Sequence, residues 1–256
     1  MRIACVLLSS AVALFSQGTE NLNAVLWVQT AAEYQAIARQ TYRAAEASLD
    51  RALREPSWTA ALEQTESALE YSKRPPAVIL DLDETVIDNS SYQARNVATG
   101  AAFTDPGWQK WVGEQRAGLI AGAREFLALA HGRGVNIFYV TNRVCDPSKA
   151  DDPTVAVVKA HALPFRPERL QCRTDTGDKS PRRRNIAAAH RVLLVIGDDL
   201  NDFVTLPFDV KVRAEFVADL GRYWGERWFM IPNPTYGSWE RSIGTDVNTK
   251  RKALRQ

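Results

Sequence analysis

Three near-continuous apolar runs, each ending in polar residues, constrain this chain most: "AVILDLD" from Ala77, "VNIFYVTNR" from Val135 and "RVLLVIGDDLNDF" from Arg191. A strand with no polar alternation is buried on both faces, which is the condition of a parallel strand covered by helices on each side. Segments of helical character separate the runs: "GAREFLALAHGRG" closes on glycine, "TVAVVKAHAL" follows, and "SPRRRNIAAAH" begins with Ser180 as N-cap and Pro181 at the first helical position. "ERLQCR" reads as a short strand, "FVADLGRYWG" as a helix and "RWFMIPN" as a last strand. The alternation predicts an α/β protein with a parallel sheet flanked by helices.

The prolines at 75 and 76 mark the start of that pattern. Upstream, Glu20 to about Tyr71 is helical in rhythm. Leu22, Val25, Leu26, Val28 and Ala31 open a helix-spaced series, and Ser57 is expected to cap a later helix ending before "KRPP". At the N-terminus, Arg2 and the apolar "IACVLLSSAVALF" have the form of an export signal and fall short of the roughly 20 residues that span a bilayer. The expected division is a signal over 1–18, a helical segment over 19–75 contributing to a cap, a core over 76–244 with a cap insertion at about 89–118, and a basic tail over 245–256. The mature protein is expected in the periplasm or outside the cell, without a stable membrane anchor. A net charge of +2 and a pI near 8.4 are too mild for a nucleic-acid polymer as partner. Beyond the signal, only Cys145 and Cys172 remain, and whether they pair is open from sequence. Neither has the arginine six residues later that a cysteine phosphatase needs, since Asp151 and Asp178 stand there.

In open parallel sheets ligands bind beyond the carboxyl ends of the strands, and here three strands end in "DLD", "TNR" and "GDDLND". Asp81 and Asp83, two apart on an extended strand, project to one side. Asp198 and Asp202 come from another strand end, four apart as in one helical turn. Together they form an oxygen-rich site suited to Mg²⁺. The three histidines have no metal-ligand spacing and read as surface or helix-end residues. A nucleophilic carboxylate, Mg²⁺ and cationic support suit phosphoryl transfer. Thr141 and Asn142 offer hydrogen bonds to phosphate oxygens, and Lys179 stands before a helix N-terminus that favours an anion.

"DLDETVIDN", "VTNR", "DKS" and "GDDLNDF", in that order, resemble the haloacid dehalogenase superfamily, and the fuller forms resemble its class C acid phosphatases, including the lipoprotein 5′-nucleotidases. The flanking "NLNAVLWVQTAAEYQAIARQTY" and "FMIPNPTYGSWE" are similar to that branch as well, so the likeness spans about 21–239. It implies a haloacid-dehalogenase-like core with a smaller, mostly helical cap. It further implies Asp81 as nucleophile forming an aspartyl-phosphate, and Asp83 as the acid that protonates the leaving alcohol and then activates water. Mg²⁺ would be held by Asp81, the Asp83 carbonyl and Asp198, with Asp202 orienting a metal-bound water. Thr141 and Lys179 match the phosphate-binding pair, and Trp108 and Tyr236 fall where the branch stacks a base. The implied substrate is a small phosphomonoester, a 5′-nucleotide in that branch, and a homodimer is compatible with the chain. Two alternatives stay open: a broad acid phosphatase or phosphotransferase without nucleotide preference, and a catalytically quiet nucleotide- or haem-binding protein.

Overall fold

The computed structural model describes residues 21–65 and 70–255. The expected signal, with Cys5, lies outside the described residues. Among the described residues seven strands form: β1 (Pro76–Leu80), β2 (Ile87–Asp88), β3 (Gly118–Leu119), β4 (Asn136–Val140), β5 (Leu170–Gln171), β6 (Arg191–Gly197) and β7 (Trp228–Met230). Five make a sheet in the order β5-β4-β1-β6-β7, every neighbouring pair parallel, while β2 and β3 pair antiparallel apart from it. From β1 the chain winds outward through β4 to β5, then returns to the other side of β1 for β6 and β7. The reversal falls between β1 and β6, and such a switch point leaves a crevice at the carboxyl ends. Asp81 and Asp198 are the first residues past those two strands.

Alternate side chains of β1 enter different cores. Val78 and Leu80 pack on one face with the helices Ala32–Arg54 and Ala123–Gly132. Ala77 and Ile79 pack on the other with Ile186 and Ala187 of helix Ser180–Ala189 and with Trp228. Helix Ala32–Arg54 lays Tyr34, Ala38, Tyr42, Ala45, Leu49 and Ala52 in one fully buried stripe. The alanines bring its backbone close to the sheet, and the Tyr42 hydroxyl reaches through to donate to the Thr85 carbonyl at 2.7 Å. Gly122 faces this stripe with φ +91, and a Cβ there would lie 3.0 Å from Tyr42 Cβ. Helix Leu22–Thr30 packs instead against helix Ser90–Thr99.

The expected helix after Ser57 does not form in the described residues. Residues 58–61 run across the sheet, with Trp58 Nε1 donating to the Leu193 carbonyl at 2.8 Å and Ala60 N to the Val192 carbonyl at 2.8 Å. Trp228 Nε1 donates in turn to the Ala60 carbonyl at 2.8 Å, so buried indoles hold this segment extended and only short 3₁₀ turns, Leu62–Gln64 and Glu70–Lys73, remain. Two helix starts shift as well. Lys179, rather than Ser180, is the N-cap of Ser180–Ala189. The helix expected from Phe216 begins at Val210, capped by the Asp209 carboxylate, and ends at Asp219. His131 lies in the last turn of a helix, and His161 and His190 are C-caps. Cys145 and Cys172 are joined in a disulfide across 27 residues, tying the loop after β4 to the loop after β5.

Candidate active site

Beyond the carboxyl ends of the strands lies a cleft of about 790 Å³. Asp81, Asp83, Asn142, Lys179, Asp198, Asp202, Trp108 and Tyr236 all line it. Thr141 lies behind this lining, fully buried, its Oγ1 accepting from Arg143 N at 3.1 Å.

Asp81 still belongs to the ladder, its N donating to the Ile196 carbonyl at 3.0 Å, so its side chain is fixed relative to both central strands. The buried Lys179 ammonium bridges two carboxylates, Asp81 Oδ1 and Asp202 Oδ1, the latter at 2.6 Å. Asp202 also closes a capping box. Its Oδ2 accepts from Asp198 N at 3.1 Å and Asp199 N at 3.0 Å, which turns the chain directly after β6. That turn needs Gly197, because a Cβ there would sit 2.5 Å from Asp202 Cβ.

Oxygens of Asp81, Asp198 and Asp202 all lie within 4.8 Å of one another. Two buried carboxylates, Asp81 and Asp202, and the half-buried Asp198 face one ammonium, and the electrostatics record the shortage. Burial pushes Asp81 up to about 7, against the pull of Lys179 and with repulsion from Asp202 and Asp83 added. Asp198 is raised by burial and then by Asp202 and Asp81. Burial alone would lower Lys179, but Asp202 and Asp81 outweigh it and raise it. A cluster of hard oxygens this short of positive charge fits a divalent cation.

Asp83 is held differently. The guanidinium of buried Arg143 meets it through Nε at 3.0 Å and Nη2 at 2.6 Å, and Asn89 Nδ2 donates at 2.8 Å. Arg143 also lies over the Trp108 ring, 5.7 Å from its centroid, and Trp108 packs edge-on against Tyr92 at 5.3 Å. Asn142 uses both ends of its amide, donating to the Gly177 carbonyl at 3.0 Å and accepting from Arg182 at 2.8 Å. Arg182 further donates to the Thr141 carbonyl at 2.6 Å, joining the loops after β4 and before helix Ser180–Ala189.

One segment after β7 reaches three acidic residues. Asn233 Nδ2 donates to Asp198 Oδ2 at 2.8 Å, the Tyr236 hydroxyl to Glu84 Oε2, and Ser238 to the Asp199 carboxylate. Asp198 is braced from the other side by Thr85 Oγ1 at 3.1 Å. Glu84, buried and in the left-handed region at φ 58, accepts from Asn89 N at 3.1 Å. Its carboxyl is raised by burial and by Asp83 beside it.

Arg143, Asn89, Glu84, Thr85 and Asn233 escaped the sequence reading. Arg143 stood inside the quoted "VTNR", and the signal for it was the need of Asp83 for a cation, but a partner 60 residues away is invisible to spacing.

The family model of the acid phosphatases of HAD superfamily subfamily IIIB matches residues 10–239. Among solved structures, the class C acid phosphatase of Bacillus anthracis with tungstate bound superposes with a TM-score of 0.80 at 29% identity, covering 93% of this chain and 98% of that one. A second structure of the Bacillus anthracis class C enzyme gives 0.79 at 29% identity, with 94% and 98% covered. Fold, acidic cluster and family match agree: the chain belongs to the acid phosphatases of subfamily IIIB of the haloacid dehalogenase superfamily and is a phosphomonoesterase.

Proposed function

We propose that the protein is an exported, Mg²⁺-dependent acid phosphatase that hydrolyses 5′-nucleotides through an aspartyl-phosphate on Asp81. The observation that carries this reading is Asp81 at the switch point, joined to Lys179 and grouped with Asp198 and Asp202. The tungstate named in the related Bacillus anthracis structure is an oxyanion shaped like phosphate, in keeping with phosphoester chemistry in this family.

Mg²⁺ would be held by Asp81, the Asp83 carbonyl and Asp198, with Asp202 acting through water. When bound, it supplies positive charge against the carboxylates and the phosphoryl oxygens. A carboxylate oxygen of Asp81 attacks phosphorus in line as the bond to the ester oxygen breaks. The electron pair stays on that oxygen, which takes a proton from Asp83 and leaves as the alcohol. Lys179 and Asn142, which line the cleft, hold the transferred phosphoryl oxygens, with the buried Thr141 supporting that wall from behind. Water then attacks the aspartyl-phosphate, Asp83 takes its proton, and phosphate leaves as Asp81 is restored.

Asp81→Asn tests this directly, since an amide keeps the shape but is not a nucleophile. Turnover of any phosphomonoester should fall by at least about 10³-fold with the unfolding transition retained. A variant that keeps a tenth of wild-type turnover sinks the assignment.

Nucleotide preference rests on Trp108 and Tyr236, which line the same cleft as Asp81. If they stack a base, alanine at either position should cost about 1–3 kcal/mol, or roughly five- to 150-fold in kcat/KM for a 5′-nucleotide, and far less for a sugar phosphate. A broad acid phosphatase is the second reading. It is favoured by the jobs both aromatics already have, Trp108 against Tyr92 and Arg143, Tyr236 on Glu84. Equal losses on both substrates would decide for it. Export to an oxidising compartment fits the Cys145–Cys172 disulfide; recovery of the protein in the cytoplasm alone would exclude export, and an intact Met1 would exclude a cleaved signal over 1–18.

A further inference from the structure

The two oxygens of Asp83 are not equivalent. Oδ1 accepts three donors, Arg143 Nη2 at 2.6 Å, Asn89 Nδ2 at 2.8 Å and Arg143 Nε at 3.0 Å. Among the described residues, Oδ2 has only the shared Nε, at 3.1 Å. A carboxylate so loaded on one oxygen cannot rotate without breaking several charge-assisted bonds.

The donors are themselves fixed. Arg143 is 3% exposed, its N donates to Thr141 Oγ1, and its carbonyl accepts from Arg173 N at 2.9 Å. Two residues on, Cys145 is bonded to Cys172, so the loop bearing Arg143 is tied at both ends. Asn89 is fully buried, and Trp111 Nε1 donates to its Oδ1 at 2.9 Å. An indole N–H can only donate, so it sets which way the amide faces and leaves the NH₂ for Asp83. Trp111 belongs to helix Asp105–Glu114, outside the sheet and its flanking helices.

We infer that Arg143 and Asn89, the latter set by Trp111, are positioning residues that anchor Asp83 by Oδ1 and present Oδ2 to the leaving oxygen. The inference deepens the proposed function and rests on its assignment of Asp83 as the acid. In the step concerned, the phosphorus–ester bond breaks, its electron pair goes to the ester oxygen, and the proton on Oδ2 moves to that oxygen. Asp81 meanwhile completes its bond to phosphorus.

The test is the dependence of each variant's loss on the leaving group. The p-nitrophenolate of p-nitrophenyl phosphate leaves readily without a proton, whereas the alkoxide of glycerol phosphate needs one. Rapid-quench single turnovers at saturating substrate read the formation of the phosphoenzyme, and the ratio of the losses on the two substrates cancels any unfolded fraction. General acids contribute about 10²–10⁴-fold, so Arg143→Gln should lose at least about tenfold more on glycerol phosphate than on p-nitrophenyl phosphate. Arg143→Lys should recover part of that difference. Trp111→Phe, which removes one N–H far from the substrate, should show a smaller difference of the same sign. Equal losses for Arg143→Gln and Trp111→Phe, beside an Asp83→Asn that does discriminate, overturn the positioning role and leave the acid assignment standing. Equal losses for Asp83→Asn itself overturn both.

Discussion

Gly197 shows how much of this site depends on an atom that is not there. The Asp202 carboxylate folds back against the Gly197 backbone to accept two N–H groups and still reach Lys179. A methyl group at 197 would overlap Asp202 Cβ and Cγ, so Gly197→Ala must swing the carboxylate away or open the turn. A displacement of about 1 Å in such a constellation costs on the order of 10²-fold in rate. The expected result is a folded protein with kcat/KM on p-nitrophenyl phosphate down by about that factor, and wild-type activity would mean that Asp202 has no part in the chemistry. The sequence placed the acidic residues because their kind and order are local facts. Arg143, Asn89 and Asn233 were not readable, since their meaning lies in partners that only the fold brings near.

At the scale of elements, the disulfide joins two loops that follow adjacent strands, β4 and β5, and one of them carries Thr141, Asn142 and Arg143. Cross-linking a loop of this length removes freedom from the unfolded chain worth about 3.5 kcal/mol in the chain-entropy treatment. Cys145→Ser with Cys172→Ser should then lower the unfolding midpoint by about 7–14 °C, at roughly 2–4 °C per kcal/mol. Calorimetry checks it, and an unchanged midpoint would show that the loops are held without the bond. The same scale explains what was legible in the fold. β1, β4 and β6 announced themselves because a doubly covered strand tolerates no polar alternation. The segment after Ser57 misled because its alanines and glutamates favour helix, while Trp58 finds its partner on β6, 135 residues away. Tertiary hydrogen bonds from buried indoles overrode local propensity there.

For the whole molecule, the carboxylate cluster links stability, pH and metal. Asp81 has a folded value near 7 against 3.8 for the free group, so it takes up a proton on folding as pH falls. Its contribution is fully present below about 4 and is lost as pH rises through 7; Asp198 shifts in the same direction. A cation competes with those protons, so Mg²⁺ should stabilise more at pH 7.5 than at pH 5. At about 100 times its dissociation constant a ligand adds about 2.7 kcal/mol, or roughly 5–10 °C for a chain of this size. Unfolding curves at both pH values, with chelator and with Mg²⁺, measure the difference, and an equal shift at each would detach the metal from these carboxylates. No helix among the described residues is long and apolar enough to cross a membrane.

The segment Asn233–Ser238, which supplies partners to Asp198, Glu84 and Asp199, follows the last strand of the sheet. A ribosome making this protein therefore adds Asp81 well before it adds the braces of the cleft. Once Met230 is made and before Asn233, every strand among the described residues has been synthesised, yet Asp198 still lacks its amide donor and Glu84 its phenol. Asp198, Glu84 and Asp199 thus gain these partners only after every described strand has been joined to the chain.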